Sequence, residues 1–231
     1  MSYHLVVGMG EIGKAVKGIF PAAQTLDLDK KSVELPVDIM HICFPYSISF
    51  DSQVRGYMKT YNPTHVIIWS TVQVGTTAKL PGAVHSPVEG KHPDLELSIR
   101  TMTRWIGHND EDEGKFFARL FYEVGISSKL VPNSDFTEAL KLISTTEYGI
   151  NIEFARYKAW VADQLGMDYN LTKEWNEEYN KLYKNLGLDK RFQKFVLDAP
   201  KGPKGGHCVT PNAVLLNEQF PNELVKIVGE L

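Results

Sequence analysis

The chain has 231 residues, 43% of them apolar, and a formal charge of −3. That length and composition suit one large or two modest globular domains, and the mildly acidic balance without a basic run argues against nucleic acid as the main partner. No run approaches the apolar length of a membrane span, and the N-terminus reads as a strand rather than a basic, cleavable leader, so a soluble, cytoplasmic protein is expected.

His4 to Val7 forms an apolar strand that runs into Gly8-Met9-Gly10-Glu11-Ile12-Gly13 and then into a helix-patterned segment. This is the strand, glycine turn and helix of a dinucleotide fold. Gly8 permits the tight turn, Gly10 lets the backbone approach a pyrophosphate, Gly13 lets the helix pack on the strand, and the phosphates lie at the helix N-terminus beside Met9, Glu11 and Ile12. Residues 23–29 read as a short second strand ending in Asp27-Leu28-Asp29. Asp27 stands where a carboxylate holds the adenosine ribose hydroxyls. No arginine follows at once, which favours NAD, while Lys30 and Lys31 lie close enough to leave NADP open.

Residues 37–44 predict a buried strand ending at Pro45, which falls on the cofactor side. Only about eight residues separate it from Asp29, too few for a full crossover helix. A helix is expected over 50–61, strands over 64–69, 82–86 and 101–106, and a helix from the acid-rich 109–113 to about Val124, with carboxylates at its positive end. Residues 127–131 close the sheet. A proline-free stretch from Ser134 to about Gly166 then carries Leu140, Ile143, Ile150, Phe154, Tyr157 and Val161 at helical spacing, with Asn133 or Ser134 as cap. A helix of that length needs another surface to bury its stripe. With Tyr148, Tyr157 and Trp160 it predicts a homodimer built on this helix. A second helix over 171–186, a glycine-rich loop over 199–208 and a terminal helical stretch complete the chain. The expectation is α/β: a Rossmann-type, doubly wound, mostly parallel sheet over 1–132, followed by an all-helical domain over 133–231 built on one long helix.

Five residues carry candidate chemistry. Lys141, about two turns into the long helix, is either a solvated helical lysine or, placed beside a nicotinamide, a group that takes the proton of a hydroxyl as hydride leaves. Cys208 follows Gly205, Gly206 and His207 and is either a structural thiol or, with His207, Lys204 or Lys141 favouring its thiolate, a nucleophile toward an aldehyde. Cys43, inside a strand, reads as a core thiol, so no disulfide framework is expected. His85, His92 and His108 are too irregularly spaced to join His207 in a metal set, and none is expected. Thr71 lies after a parallel strand, at the edge where doubly wound sheets bind ligands, or is a routine turn threonine; Glu89 follows another strand and is either a group that orients water or a substrate hydroxyl or an exposed loop carboxylate without a role. Asn212 lies four residues after Cys208.

The stretches VVGMGEIG, LDLD, STVQVGTT, EALKLI and KGGHCVTPN, in this order over nearly the whole chain, resemble the nucleotide-sugar dehydrogenases, which include UDP-glucose and UDP-mannosaminuronate dehydrogenases, within the 6-phosphogluconate dehydrogenase-like group. The resemblance implies oxidation of a primary alcohol by NAD with Lys141 handling charge at the oxygen. Cys208 then traps the aldehyde as a thiohemiacetal, a second oxidation gives a thioester, and water releases the acid. The pattern is broken at three places: Thr145 stands where the family has asparagine, Asn212 where it has aspartate, and Glu89 one place late. The chain also ends before the family's C-terminal nucleotide-binding domain. The string SPVEG resembles instead an element of 3-hydroxyacid dehydrogenases, which use a helical lysine and no cysteine. A single-hydride dehydrogenase and a non-catalytic NAD-binding protein are therefore the alternatives.

Overall fold

The computed structural model describes residues 3–28, 33–34, 36–90, 93–200 and 206–230, without the side chains of Gly206 and His207. Asp29, Lys30, Lys31, His92 and the loop 201–205, with Lys204 and Gly205, lie outside the described residues. The chain divides into two compact units, 1–141 and 142–231.

In the first unit, alternating apolar residues build seven strands: β1 (His4–Val7), β2 (Gln24–Leu26), β3 (Ile39–Ile42), β4 (His65–Ile68), β5 (Ala83–His85), β6 (Arg104–His108) and β7 (Ser128–Pro132). They lie in the order β2-β1-β3-β4-β5-β6-β7. The first five are parallel, β6 runs antiparallel to β5, and β7 is parallel to β6. This is the mostly parallel, Rossmann-like sheet expected. The order reverses direction between β1 and β3, and the crevice beyond the carboxyl ends of such strands is where ligands of open α/β sheets bind.

Strand periodicity sends successive side chains to opposite faces. Val6, Ile39, Ile67 and Val84 meet helices α1 (Glu11–Ile19), α3 (Leu95–Thr101) and α4 (Glu111–Glu123) on one face. Leu5, Val7, Met40, Ile42, Val66 and Ile68 meet Phe50 and Val54 of α2 (Phe50–Tyr61) on the other. The acid-rich start of α4 is capped by Asp110, whose side chain accepts the N–H groups of Asp112 and Glu113. Among the described residues no helix joins β2 to β3. The strand expected over 101–106 begins only at Arg104. Thr101 is instead the last residue of α3, where Leu95 and Ile99, one turn apart, are both buried.

Helix α5 (Ser134–Gln164) starts in the first unit, with the Asn133 side chain accepting the Asp135 N–H at 2.9 Å as its cap. It continues into the second, which also holds α6 (Asn170–Asn185), α7 (Gly206–Gln219) and α8 (Glu223–Gly229). Here the core is small: Val209, Ala213 and Val228, with Ile150 and Val225 packed against them. It depends on Gly149, because a Cβ there would stand 2.5 Å from methyls of both Val209 and Val228. The buried side of α5 is made of Leu142, Thr146, Gly149, Ile152, Ala155 and Ala162, while Leu140, Ile143, Phe154 and Tyr157 of the predicted stripe face out. Phe154 and Tyr157 lie beside one another on the exposed side, with ring centroids 6.2 Å apart. Helix α6 buries no residue. Its Asn176 and Asn180 hold the backbone of Lys194 and Phe195 through side-chain amides, so an extended segment runs along it. Among the described residues no helix is long and apolar enough to cross a membrane.

Candidate functional site

The glycine turn is built by close contacts. Gly8 has φ +89°, and a Cβ on it would lie 2.8 Å from the Phe44 nitrogen. A Cβ on Gly13 would collide with the Gly8 carbonyl oxygen, so α1 can sit against β1 only with glycine at that position. Beside Gly10, by contrast, a Cβ would meet nothing within 4 Å. Gly10 is the N-cap of α1 and offers no side chain, so no side-chain cap bonds the first-turn N–H groups and their positive end is available to an anion. Met9 and Ile12 anchor the turn in the apolar core, and Glu11 sits in the first turn of the helix. Asp27 follows β2 directly. Its carboxylate accepts the Met9 N–H at 3.2 Å and the Leu28 N–H at 2.9 Å, which fixes an exposed acid beside the turn. Pro45 is exposed after β3, next to Phe44, whose carbonyl accepts the Ser70 hydroxyl at 2.7 Å. A glycine cradle, an uncapped helix start and a placed carboxylate together fit a dinucleotide.

A second group lies at the carboxyl ends of β4 and β5. Lys141 Nζ is 3.6 Å from Glu89 Oε1, with the lysine 14% and the glutamate 40% exposed, so this pair is partly screened. Half-buried Thr71 begins the loop that Ser70, Gly75 and Thr77 tie down. His85 is fully buried, with Nε2 3.1 Å from the Ser70 carbonyl and Nδ1 2.8 Å from the Thr137 hydroxyl of α5. A carbonyl only accepts, so Nε2 carries the proton, and Nδ1 faces the Thr137 hydroxyl, which also lies 2.9 Å from the Ser134 carbonyl. Burial pushes this imidazole down to about 3, in keeping with a neutral ring. Arg104 is also buried. Its guanidinium donates to the carbonyls of Ser86 and Pro87 and to the Ser86 hydroxyl, and it lies 5.4 Å from the Trp69 ring centroid. Desolvation brings it down to about 10 against the opposing pull of Glu89. Arg104 thus shapes the backbone that leads to Glu89.

Three of these residues are invisible in the sequence reading: Arg104, Glu138, and His85 in its actual hydrogen-bonded role. Their partners come from distant segments. Glu138 bonds Thr77 from 61 residues away. The one available signal was that Ser134, Thr137 and Glu138, all buried, put polar groups on one face of the first turns of α5.

In the second unit Cys208 lies in the first turn of α7, where a glycine-rich loop was expected. Helical spacing of Val209, Ala213 and Leu216, all buried, draws the cysteine into the helix. The thiol is free and exposed, whereas Cys43 is buried and its thiol pushed well up by desolvation. Asn212, one turn after Cys208, is buried. Thr145 lies half-buried on α5.

No protein-family model matches the chain, and no curated protein matches it. Among solved structures, it is similar to the UDP-D-ManNAc dehydrogenase of Pyrococcus horikoshii at 18% identity and a TM-score of 0.76, covering 98% of this chain and 67% of that one. It is similar to the UDP-glucose dehydrogenase of Pyrobaculum islandicum at 16% identity and a TM-score of 0.69, covering 100% and 68%. The 3-hydroxyisobutyrate dehydrogenase of Mycobacterium tuberculosis aligns at 14% identity and a TM-score of 0.69, covering 100% and 92%. The fold is therefore one that nucleotide-sugar dehydrogenases share with a hydroxyacid dehydrogenase, and the former are the family that the sequence motifs resemble.

Proposed function

We propose that this chain is an NAD-dependent oxidoreductase acting on an alcohol group of a sugar-derived small molecule. The observation that carries the reading is the bond from Met9 N–H to Asp27, which holds a carboxylate beside the glycine turn and the uncapped start of α1. Gly8, Met9, Gly10, Glu11, Ile12, Gly13, Asp27 and Pro45 would hold the dinucleotide, whose nicotinamide, when bound, supplies the acceptor for hydride. Lys141, as the neutral amine, takes the hydroxyl proton, and Glu89 pairs with the ammonium group so formed. Thr71 and Asn212 contact the substrate. In the two-step version Cys208 Sγ adds to the aldehyde carbon to give a thiohemiacetal. Loss of a second hydride, which a second oxidised dinucleotide would accept, together with the hydroxyl proton gives a thioester, and water cleaves its C–S bond, releasing the acid and restoring the thiol. A cytoplasmic location and a homodimer complete the reading. The dimer draws support from the exposed run of Phe154, Tyr157 and Trp160, whose successive ring centroids are 6.2 and 5.9 Å apart.

A second reading, one oxidation with Cys208 a bystander, is favoured by the ion pair that Glu89 of the SPVEG string makes with Lys141. Tryptophan quenching by NADH and NADPH tests the cofactor, with Asp27→Ala as control. Preferential NADH binding lost in the variant supports the reading, and no binding of either sinks it. An alcohol and sugar-nucleotide screen then counts NADH. Two per acid, with the second step abolished by Cys208→Ser, favours the covalent route, whereas one NADH and a harmless serine variant favours the single oxidation. Tight binding with no turnover across the screen leaves a non-catalytic NAD-binding protein.

A further inference from the structure

Successive residues of α5, Thr137 and Glu138, are each bonded to the loop that follows β4. Thr137 reaches its start through His85 and the Ser70 carbonyl. Glu138 reaches its end directly: Oε2 accepts the Gly75 N–H at 2.6 Å, and Oε1 accepts the Thr77 N–H at 2.8 Å and the Thr77 hydroxyl at 2.6 Å. Glu138 has no solvent exposure, and Thr77 is equally buried. Thr71 lies between the two anchored ends. One turn beyond Thr137 on the same helical face is Lys141, and four residues beyond His85 is Glu89, its ion-pair partner. The helix comes this close to the sheet because residue 107 of β6 is glycine; a Cβ there would overlap the Thr137 hydroxyl and stand 2.9 Å from the Ser134 Cα.

We propose that Glu138 is a positioning residue: by clasping the Gly75–Thr77 backbone it sets the axial and rotational seat of α5, and so the place of Lys141 relative to Thr71 and Glu89. This rests on the reading of Lys141 as the proton-handling group. Burying a carboxylate is costly unless its oxygens are hydrogen-bonded, and here three bonds from one loop supply that compensation. Burial raises its affinity for a proton while the three donors lower it, so the clasp is a polar lock under tension from both sides. An apolar residue of the same size would pack there but would leave two backbone N–H groups unsatisfied and the helix free to slide.

The test reads Lys141 itself. Reductive methylation with formaldehyde and cyanoborohydride, followed by peptide mass spectrometry, gives the labelling rate of each lysine in the wild type, Glu138→Gln, Thr77→Val and Thr77→Ser, with NADH affinity measured alongside. Glu138→Gln turns one accepting oxygen into a donor facing Gly75 N–H, and Thr77→Val removes the hydroxyl donor while keeping shape. Both are expected to change the Lys141 rate about threefold or more, as a shift of a fraction of an ångström changes reactivity at a held group. Other lysines and the NADH affinity should hold, and Thr77→Ser should label as the wild type does. Unchanged Lys141 labelling in Thr77→Val, or equal change in Thr77→Val and Thr77→Ser, overturns the proposal. If Glu138→Gln does not fold, the threonine pair decides alone. Failure of the wild type to bind NADH would sink the dehydrogenase reading while leaving the seat of Lys141 measured.

Discussion

The two units of this chain solve the burial problem differently. In the first, both faces of a mostly parallel sheet are covered by the chain's own helices, and Phe50, Trp69, Phe117 and Phe121 have no exposure. In the second, α6 buries nothing, and Phe154, Tyr157, Trp160 and Trp175 are more than half exposed. The first unit thus buries several large aromatic rings while leaving Tyr122 and Phe136 exposed, and the second displays the four named. Composition cannot make that distinction; it depends on which segments of the chain fold against each ring.

Substitutions of matched type should sharpen the contrast. Phe121→Ala on α4 removes a ring set edge-on to Trp69 at 5.6 Å, and is expected to cost about 3–5 kcal/mol in urea unfolding. A loss below about 1 kcal/mol would break the claim that the first unit holds a self-sufficient core.

The next effect depends on pH and belongs to the first unit. Burial keeps His85 neutral down to about 3 and pushes His41 well below its ordinary 6.5, whereas both take up a proton near 6.5 when unfolded. Their contribution is full above pH 6.5 and is lost as pH falls, by about 1.4 kcal/mol per pH unit for each histidine. Urea midpoints at pH 7.0, 6.0 and 5.0 should decline accordingly, and His85→Gln should flatten part of the slope. A midpoint independent of pH over that range would contradict the buried neutral assignment.

In the second unit the sensitive position is a glycine. Gly149→Ala drives a methyl into Val209 and Val228 and should destabilise by about 1–3 kcal/mol while lowering the protection of α7 amides from exchange. Unaltered exchange around Cys208 would show that the small core does not hold α7.

Smallest in stability should be Trp160→Ala, within about 0.5 kcal/mol at concentrations where the chain is monomeric. Sedimentation at micromolar concentration supplies its larger readout, since loss of this ring should weaken self-association. A wild-type chain that sediments as a monomer would remove the dimer, and with it the reason for the exposed aromatic run.

Local patterns were legible where the physics is local. The turn from Gly8 to Gly13 could be read because strand, turn and helix are contiguous, and Asp27 because its partner, Met9, is only 18 residues away. The 31-residue α5 was legible from its uninterrupted spacing and its Asn133 cap. The seven-residue α3 was not, being too short to show a period, and Cys208 was assigned to a loop because its glycines outweighed the buried spacing that follows. The spacing of α5 predicts a buried stripe through Leu140, Ile143, Phe154 and Tyr157, yet the buried side runs through Leu142, Thr146, Ile152, Ala155 and Ala162.

By itself, the sequence determined the order of the strands and of most helices, the glycine turn with its acid, and the candidate side chains, because backbone freedom, periodicity and functional groups are properties of residues. Only the tertiary structure decided that Glu138 clasps the Thr77 loop, that Arg104 and His85 are buried beneath the carboxyl edge, and that β6 runs against β5. Those depend on which distant segments meet, and a desolvated charge acquires its role only from the partners that folding brings to it.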